Sequence, residues 1–443
     1  MWRIVKTGYF EGEDGLRDSQ RTHQIEDQND RGDAYDCTGV PVGVVEDDHP
    51  REDCEVNYGG QRWLTDDAGQ HITVVTECAA STEGFFPGAG RFADVYSADN
   101  LDNAADRDDM LAWMDNNNVV AVSSSRSYDD SRTYSDMDET WDEESFNRNL
   151  TLTPAASNIE DNDNDNCPVS TPGKSFNSIT VGGANNQNTG DRSDDEIYDR
   201  GCDINPNSRN ADPSRIKDPY PHNKPEVVAS AVDIDTPYNT LQATDDFPFE
   251  EEFRSISGTS YAAPQVAGLL AIIENNTDFA VSDAPEVAKA VVMASATHDV
   301  EAGAFNRRGA GCIDADKAVD LVENGQYIED IFYEANSAQD YFIDLNAGET
   351  LQLALCWQSN SRMADWSSPD NAQADINLDL YFYDPSGNIL RGESGYDRAY
   401  QFMDSSSDDV TVDQTGTYQL KVWNSRWDAD SSYRNFAIAW QTK

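Results

Sequence analysis

Two periodicities of apolar and polar residues divide this chain. In the first, short runs of small and β-branched apolar residues alternate with segments of helical spacing. GVPVGVV (Gly39 to Val45), RFADVYSA (Arg91 to Ala98) and VVAVSSS (Val119 to Ser125) are close to continuous, as strands buried on both faces are. LTLTPAA, SITVGGA and PEVVASAV add three more β-like runs. Helical spacing falls around His71 to Ala79, over MLAWMDNN (Met110 to Asn117), from Ser260 onward, and over APEVAKAVVMASA (Ala284 to Ala296). Strands alternating with helices predict an α/β fold, a three-layer sandwich with a mostly parallel central sheet.

Past about Gly325 the period becomes two. YFIDLNAGETLQLALCW, INLDLYFYDPSGNIL, VTVDQTGTYQLKVW and NFAIAWQ alternate apolar with polar, and NAGE, DPSGN and DQTG supply the turns. That pattern predicts an antiparallel β-sandwich as a separate domain. The expected organisation is a polar acidic segment over 1–36, an α/β domain over 37–322 and the sandwich over 323–443. The connection near 322–330 is short, so the two domains should pack together. The acidic stretches SDMDETWDEES and IEDNDNDNC read most simply as solvated loops.

Charge changes the picture next. Lys and Arg number 31 against 83 Asp and Glu, for a net charge of −52. Repulsion of this size strains a compact state at ordinary ionic strength. At about 1 M salt the Debye length is roughly 3 Å, and most of the repulsion disappears. The composition therefore points to adaptation to high salt. Disorder is a poor fit, because 38% of residues are apolar and 10% aromatic. Nucleic acid is a disfavoured partner, since phosphate and this surface repel. No run reaches the length of a membrane span. MWRIVKTGYFEGEDG has no apolar core and is not a secretory signal, so the protein stays in the cell or its start lies upstream. The seven cysteines show no paired short spacing of the zinc type. In an oxidising compartment Cys37 with Cys54, and Cys167 with Cys202, are the pairs that would close loops; buried thiols are the alternative.

One uncharged corner stands out in so acidic a chain: GTSYAAP, Gly258 to Pro264. A serine at a helix start meets backbone N–H groups and the positive end of the dipole, which favour developing negative charge. Gly258 permits close approach, Ala262 and Ala263 keep the turn slim, and Pro264 is read as removing only an early N–H. A plain capping serine is the alternative. The longer string SGTSYAAPQVAG resembles the serine signature of the subtilase (subtilisin-like) family of serine peptidases. GQHITVV (Gly69 to Val75) is similar to the family's histidine helix, and GFFPGAGRFADVYS to the strand after it. ITVGGAN, KPEVVASAV and GAGCIDADKAV match later segments, so the resemblance covers roughly 37–322.

The resemblance implies a serine endopeptidase with Ser260 as nucleophile and His71, one of five histidines, as its base. Where the family usually has aspartate after a strand like VGVV, this chain has Glu46, followed by Asp47 and Asp48; any of the three can be the acid. His49 is expected to belong to a loop. LTPAASNI (Leu152 to Ile159) resembles the segment ending in the family's oxyanion asparagine, implying Asn158, although Ser157 stands where glycine is usual. Ser123, Ser124 and Ser125 would form an edge strand that pairs with extended substrate. The second domain resembles the jelly-roll sandwich of some subtilases, where Asn377, Asp379 and Asp384 are candidates for a calcium site; no cofactor is otherwise implied. A monomer acting on protein or peptide is expected. Two other readings stay open: an inactive subtilase-shaped binding module, and a sedolisin-type carboxyl peptidase that would not need His71.

Overall fold

The computed structural model describes residues 36–52, 54–64, 68–82, 88–99, 104–128, 134–159, 167–187, 189, 192–202, 224–236, 256–297, 300, 308–360, 374–394, 398–403 and 410–443. The acidic segment before Asp36 and the core of IEDNDNDNC lie outside these residues.

The α/β part is built on a five-stranded parallel sheet. Its strands are β1 (Pro41–Glu46), β2 (Asn57–Arg62), β3 (Asp94–Asp99), β4 (Ala121–Ser124) and β5 (Thr151–Pro154), in spatial order β2-β3-β1-β4-β5. Val42 of β1 lies between Val95 and Ala121, which puts both neighbours in parallel register. A parallel bridge from Ala155 to Val181 carries the sheet on to β6 (Val181–Asn185), which pairs with β8 (Val227–Ser230) and the short antiparallel β7 (Glu196–Ile197). Helices α1 (Gln70–Ala80), α2 (Ala104–Asn116), α3 (Asp136–Arg148), α4 (Thr259–Asn276), α5 (Pro285–Ser295) and α6 (Ala315–Glu323) complete this part. The valine and alanine side chains of β1 and α4 are almost entirely buried, as a sheet covered by helices requires.

α4 is held close to the loop that follows α1. A Cβ on Gly268 would come within 2.4 Å of the Gly90 backbone nitrogen, so only glycine allows this approach. The contact packs the middle of α4 against the end of α1 and the loop after it.

One expectation needs correction. SDMDETWDEES is not a loop: Asp136–Arg148 is a helix. Ser135 caps it, accepting from Asp138 N, while the Asp138 carboxylate accepts from Ser135 N, a reciprocal capping box. Trp141 and Ser145 turn inward, and Asp142 is buried with hydrogen bonds from Tyr134 Oη, Phe176 N and Asn177 N. The acids thus serve as cap and buried acceptors. The strand β2, NYGGQR, carries no apolar alternation because it is an edge strand whose two glycines lie beneath the Tyr96 ring.

The remainder is two antiparallel four-stranded sheets. β9 (Tyr327–Tyr333), β11 (Leu351–Trp357), β14 (Tyr400–Met403) and β16 (Tyr433–Thr442) form one, in order β14-β11-β16-β9. β10 (Ala338–Leu345), β12 (Ile376–Tyr383), β13 (Ile389–Glu393) and β15 (Gly416–Trp427) form the other, in order β10-β15-β12-β13. Inward residues of both, among them Leu353, Leu380 and Leu420, share one core, as in a β-sandwich. Ala354, Cys356, Ala437 and Ala439 face the other way and join the core of the α/β part. Gln352 Nε2 donates to the carbonyls of Ala294 (3.0 Å) and Ala296 (2.8 Å) at the end of α5. Asn177 and Ser359 exchange two further hydrogen bonds, at 2.9 and 2.7 Å. The sandwich therefore packs directly on α5. Among the described residues, no helix is long and apolar enough to cross a membrane.

Candidate active site

β1 ends on Glu46, whose side chain turns into the protein and is 4% exposed. One carboxylate oxygen, Oε1, accepts the backbone N–H of Ser125 at 2.7 Å. The other, Oε2, lies 3.6 Å from Nδ1 of His71. Asp47 turns instead to Arg126, with which it forms an ion pair. Asp48 abuts the start of α1, its Oδ2 2.7 Å from where a Cβ on Gly69 would stand. Of the three candidate acids, Glu46 is the one that faces the His71 imidazole. His49 is a loop residue, with Nδ1 2.9 Å from its neighbour's carbonyl, Pro50 O, and its ring stacked on Trp63.

His71 is the second residue of α1. Thr73, two residues on, donates to Gly69 O and accepts from Arg51 N, fixing the first turn. Burial lowers the pKa of the His71 imidazolium, but the hydrogen bond and charge of Glu46, with the charges of Asp47 and Asp48, outweigh it. The net pKa is raised above the ordinary histidine value.

Ser260 is the second residue of α4 and is 8% exposed. Tyr261 places its ring centroid 5.7 Å from that of His71, so the histidine and serine turns adjoin. The Ser260 hydroxyl contacts Ser125 O at 3.5 Å; among the described residues it makes no hydrogen bond to His71. Hydroxyl–imidazole contacts of this kind are often long until substrate is bound.

Pro264 is the sixth residue of α4, not part of its first turn as expected. It therefore has no N–H to offer the carbonyl one turn back, which is Ser260 O. The Ser125 hydroxyl takes that place, donating to Ser260 O at 2.7 Å. Ser125 thus holds Glu46 through its N–H and the serine turn through its hydroxyl. The signal for this link was in the sequence, a proline four residues after Ser260, but its partner was not.

The other two serines behave differently. Ser123 and Ser124 belong to β4, between β1 and β5, where Ser123 pairs with Val44 and Thr153 and Ser124 with Val45 and Pro154. Both are fully buried, so the edge strand expected over Ser123, Ser124 and Ser125 is corrected. The sheet consumes the backbone groups of the first two, and only from Ser125 does the chain leave it. Arg126, next along, lies over the Tyr128 ring at 4.2 Å.

Asn158 lies at the N-terminal end of α4. Its Oδ1 accepts from Thr259 N at 2.9 Å, while its Nδ2 is 3.3 Å from where a Cβ on Gly258 would stand. With Oδ1 anchored, the amide NH₂ is oriented as a donor beside the serine turn. Ser157 adopts φ 88°, the left-handed region that glycine enters without strain. Thr259 Oγ1 accepts from Ser157 N and donates to Ser157 O, both at 3.1 Å, and so holds it there. Cys202 N also donates to Ser157 O, at 2.9 Å, and Cys202 is disulfide-bonded to Cys167. The other suggested pair, Cys37 with Cys54, is two buried thiols; the Cys54 thiol points to Thr73 O in α1. Thr259, which holds Ser157 and Asn158, is a residue that sequence reading missed, because a threonine beside the candidate serine carries no signal of its own.

The calcium candidates do not converge. Asp379 accepts from Asn377 Nδ2 and Ser425 Oγ on the sandwich sheet. Asp384 caps its own turn, accepting from Ser386 N and Asn388 N, about 17 Å further along the strand direction. Among the described residues, no group of three His, Cys, Asp or Glu is placed to hold a metal.

The subtilase (Peptidase S8) family matches residues 39–311, more than half of the chain. Among solved structures, the chain is similar to MycP1 with its N-terminal propeptide removed, at 15% identity and a TM-score of 0.49, over 68% of this chain and 96% of that one. It is also similar to the prenylagaramide maturation protease PagA, at 16% identity and a TM-score of 0.47, over 70% and 98% of the two chains. No curated protein matches.

Proposed function

The chain belongs to the subtilase family, and from that premise we propose that it is a serine endopeptidase whose nucleophile is Ser260. His71 takes the Ser260 proton as the hydroxyl attacks a peptide carbonyl, then returns it to the departing amine. Glu46 orients the imidazole through Nδ1 and stabilises the imidazolium that forms. The Asn158 amide and the Ser260 N–H donate to the oxyanion. The chain from Ser125 to Ser127 is the segment that pairs with extended substrate. We assign the peptidase unit to 37–322 and the sandwich to 323–443. The net charge of −52 supports a working environment of high salt.

The contact that carries this reading is Glu46 Oε2 to His71 Nδ1, 3.6 Å, at the end of a buried parallel strand. A longer acid takes the place of the usual aspartate and still reaches the ring. One observation favours the inactive binding module: the Ser260 hydroxyl faces Ser125 O rather than His71. Cleavage of casein in multimolar salt separates the two. On the proposed reading Ser260→Ala abolishes it, and Asn158→Ala lowers kcat by about 10²–10³. Undiminished cleavage by the Ser260 variant, or none by the folded wild type, removes the proposal.

A further inference from the structure

We propose that the seam between the α/β part and the sandwich holds a second site, which binds a neutral polyhydroxylated ligand of the saccharide class. A cavity of about 360 Å³ opens there, a size within the range of small-ligand pockets. Its lining includes Glu286 from the first turn of α5, Gln358 and Asn360 after β11, and Tyr433, Arg434 and Asn435 from β16. No residue of the proposed catalytic set takes part, so this inference stands apart from the peptidase reading.

Three lining residues carry buried polar atoms with no hydrogen-bond partner: Glu286 Oε1, Gln358 Nε2 and Arg434 Nε. Glu286 and Arg434 are each 4% exposed and Gln358 is 7% exposed, so bulk water does not serve them. Such groups are costly to leave unpaired. One is a carboxyl oxygen and two are N–H donors, and the amides of Asn360 and Asn435 offer both functions.

A ligand that only donates or only accepts leaves part of this lining unsatisfied. Hydroxyl groups do both. Charge disfavours an anion, because Asp430 also lines the cavity and its cation is already paired. The Arg434 guanidinium is already paired with Asp375 and lies over the Phe146 ring. Burial, with the nearby charge of Glu329, pushes the Glu286 carboxyl up to about 7, so near neutrality it is substantially protonated. One further feature is Tyr433, which lines the cavity and leaves half its surface exposed. Tyr433 and Tyr333 are register partners on adjacent strands, 50% and 48% exposed, with ring centroids 6.4 Å apart. The two rings are tilted by 49°, so it is the exposed Tyr433 face, beside a polar lining, that suits the C–H face of a sugar ring.

The test uses the intact chain in multimolar salt and saturation-transfer NMR. The probes are maltose and N-acetylglucosamine, with acetate and n-butylammonium as charged comparators. Both sugars, or one, should show transfer, and neither ion should displace them. Tyr433→Ala, a change at a half-exposed position, should weaken sugar binding about tenfold while casein cleavage stays unchanged. Gln358→Leu, which removes a donor at similar volume, should weaken it comparably. Failure of both sugars to bind the wild type overturns the proposal, as does binding indifferent to both substitutions or displaced by either ion.

Discussion

Replacing Ser125 by alanine removes one hydroxyl and leaves its backbone N–H on Glu46 Oε1 in place. What is lost is the 2.7 Å donation to Ser260 O, a buried carbonyl that Pro264 cannot serve. Leaving such an acceptor unpaired costs about 1–3 kcal/mol. If the turn relaxes to recover that energy, Ser260 moves off its line of attack. Expressed fully in the barrier, the cost corresponds to a fall of roughly 5- to 150-fold in kcat/KM. The sharper expectation concerns the second substitution. Pro264→Ala supplies an N–H aimed at the same carbonyl, so it should be nearly silent alone and should restore most of the activity lost in Ser125→Ala. The assay is kcat and KM for a peptide substrate in multimolar salt, corrected for active sites by stoichiometric fluorophosphonate titration. The loss should fall mainly on kcat. Additive effects of the two substitutions, with no rescue, would refute the argument that both act on Ser260 O.

The acid limb of the kcat/KM profile should lie above the ordinary histidine value of about 6.5, because His71 must be neutral to act and its pKa is raised. Glu46→Gln removes the main raising influence, so the limb should move to lower pH even as the maximal rate falls; an unmoved limb would detach Glu46 from His71. Lowering the salt from multimolar to about 0.1 M lengthens the screening distance from a few ångströms to about 10 Å. The thermal midpoint should then fall, and a midpoint that is constant or rises would contradict the reading of the −52 charge as salt adaptation.

Much of the fold was legible because its parts obey simple periods. GVPVGVV and the first half of VVAVSSS are almost continuously apolar because the strands they form are covered on both faces, and LQLALCW and TYQLKVW lie in a sandwich. SDMDETWDEES failed as a reading because acids usually mark solvent, whereas Asp138 and Asp142 here are buried acceptors. Ser123 and Ser124 were misplaced because a strand read alone does not show which neighbours flank it; β5 covers the side that substrate would have needed. The choice among Glu46, Asp47 and Asp48 was open for a similar reason. Their order along the chain says nothing of which carboxylate meets a helix from elsewhere, and Arg126, drawing Asp47 aside, is far away in sequence. The Ser125–Pro264 relation was hidden in the same manner, as a missing donor whose replacement comes from the residue just past a distant strand.

The claim beneath all of this is that His71 makes the Ser260 hydroxyl reactive. Its most direct measurement is the rate at which a fluorophosphonate modifies the folded protein in multimolar salt, with the adduct located by peptide mass spectrometry. The account predicts an adduct on Ser260 in the wild type and, in His71→Ala, labelling slower by at least about a thousandfold. Equal labelling of the two proteins, or an adduct elsewhere in the chain, would contradict it.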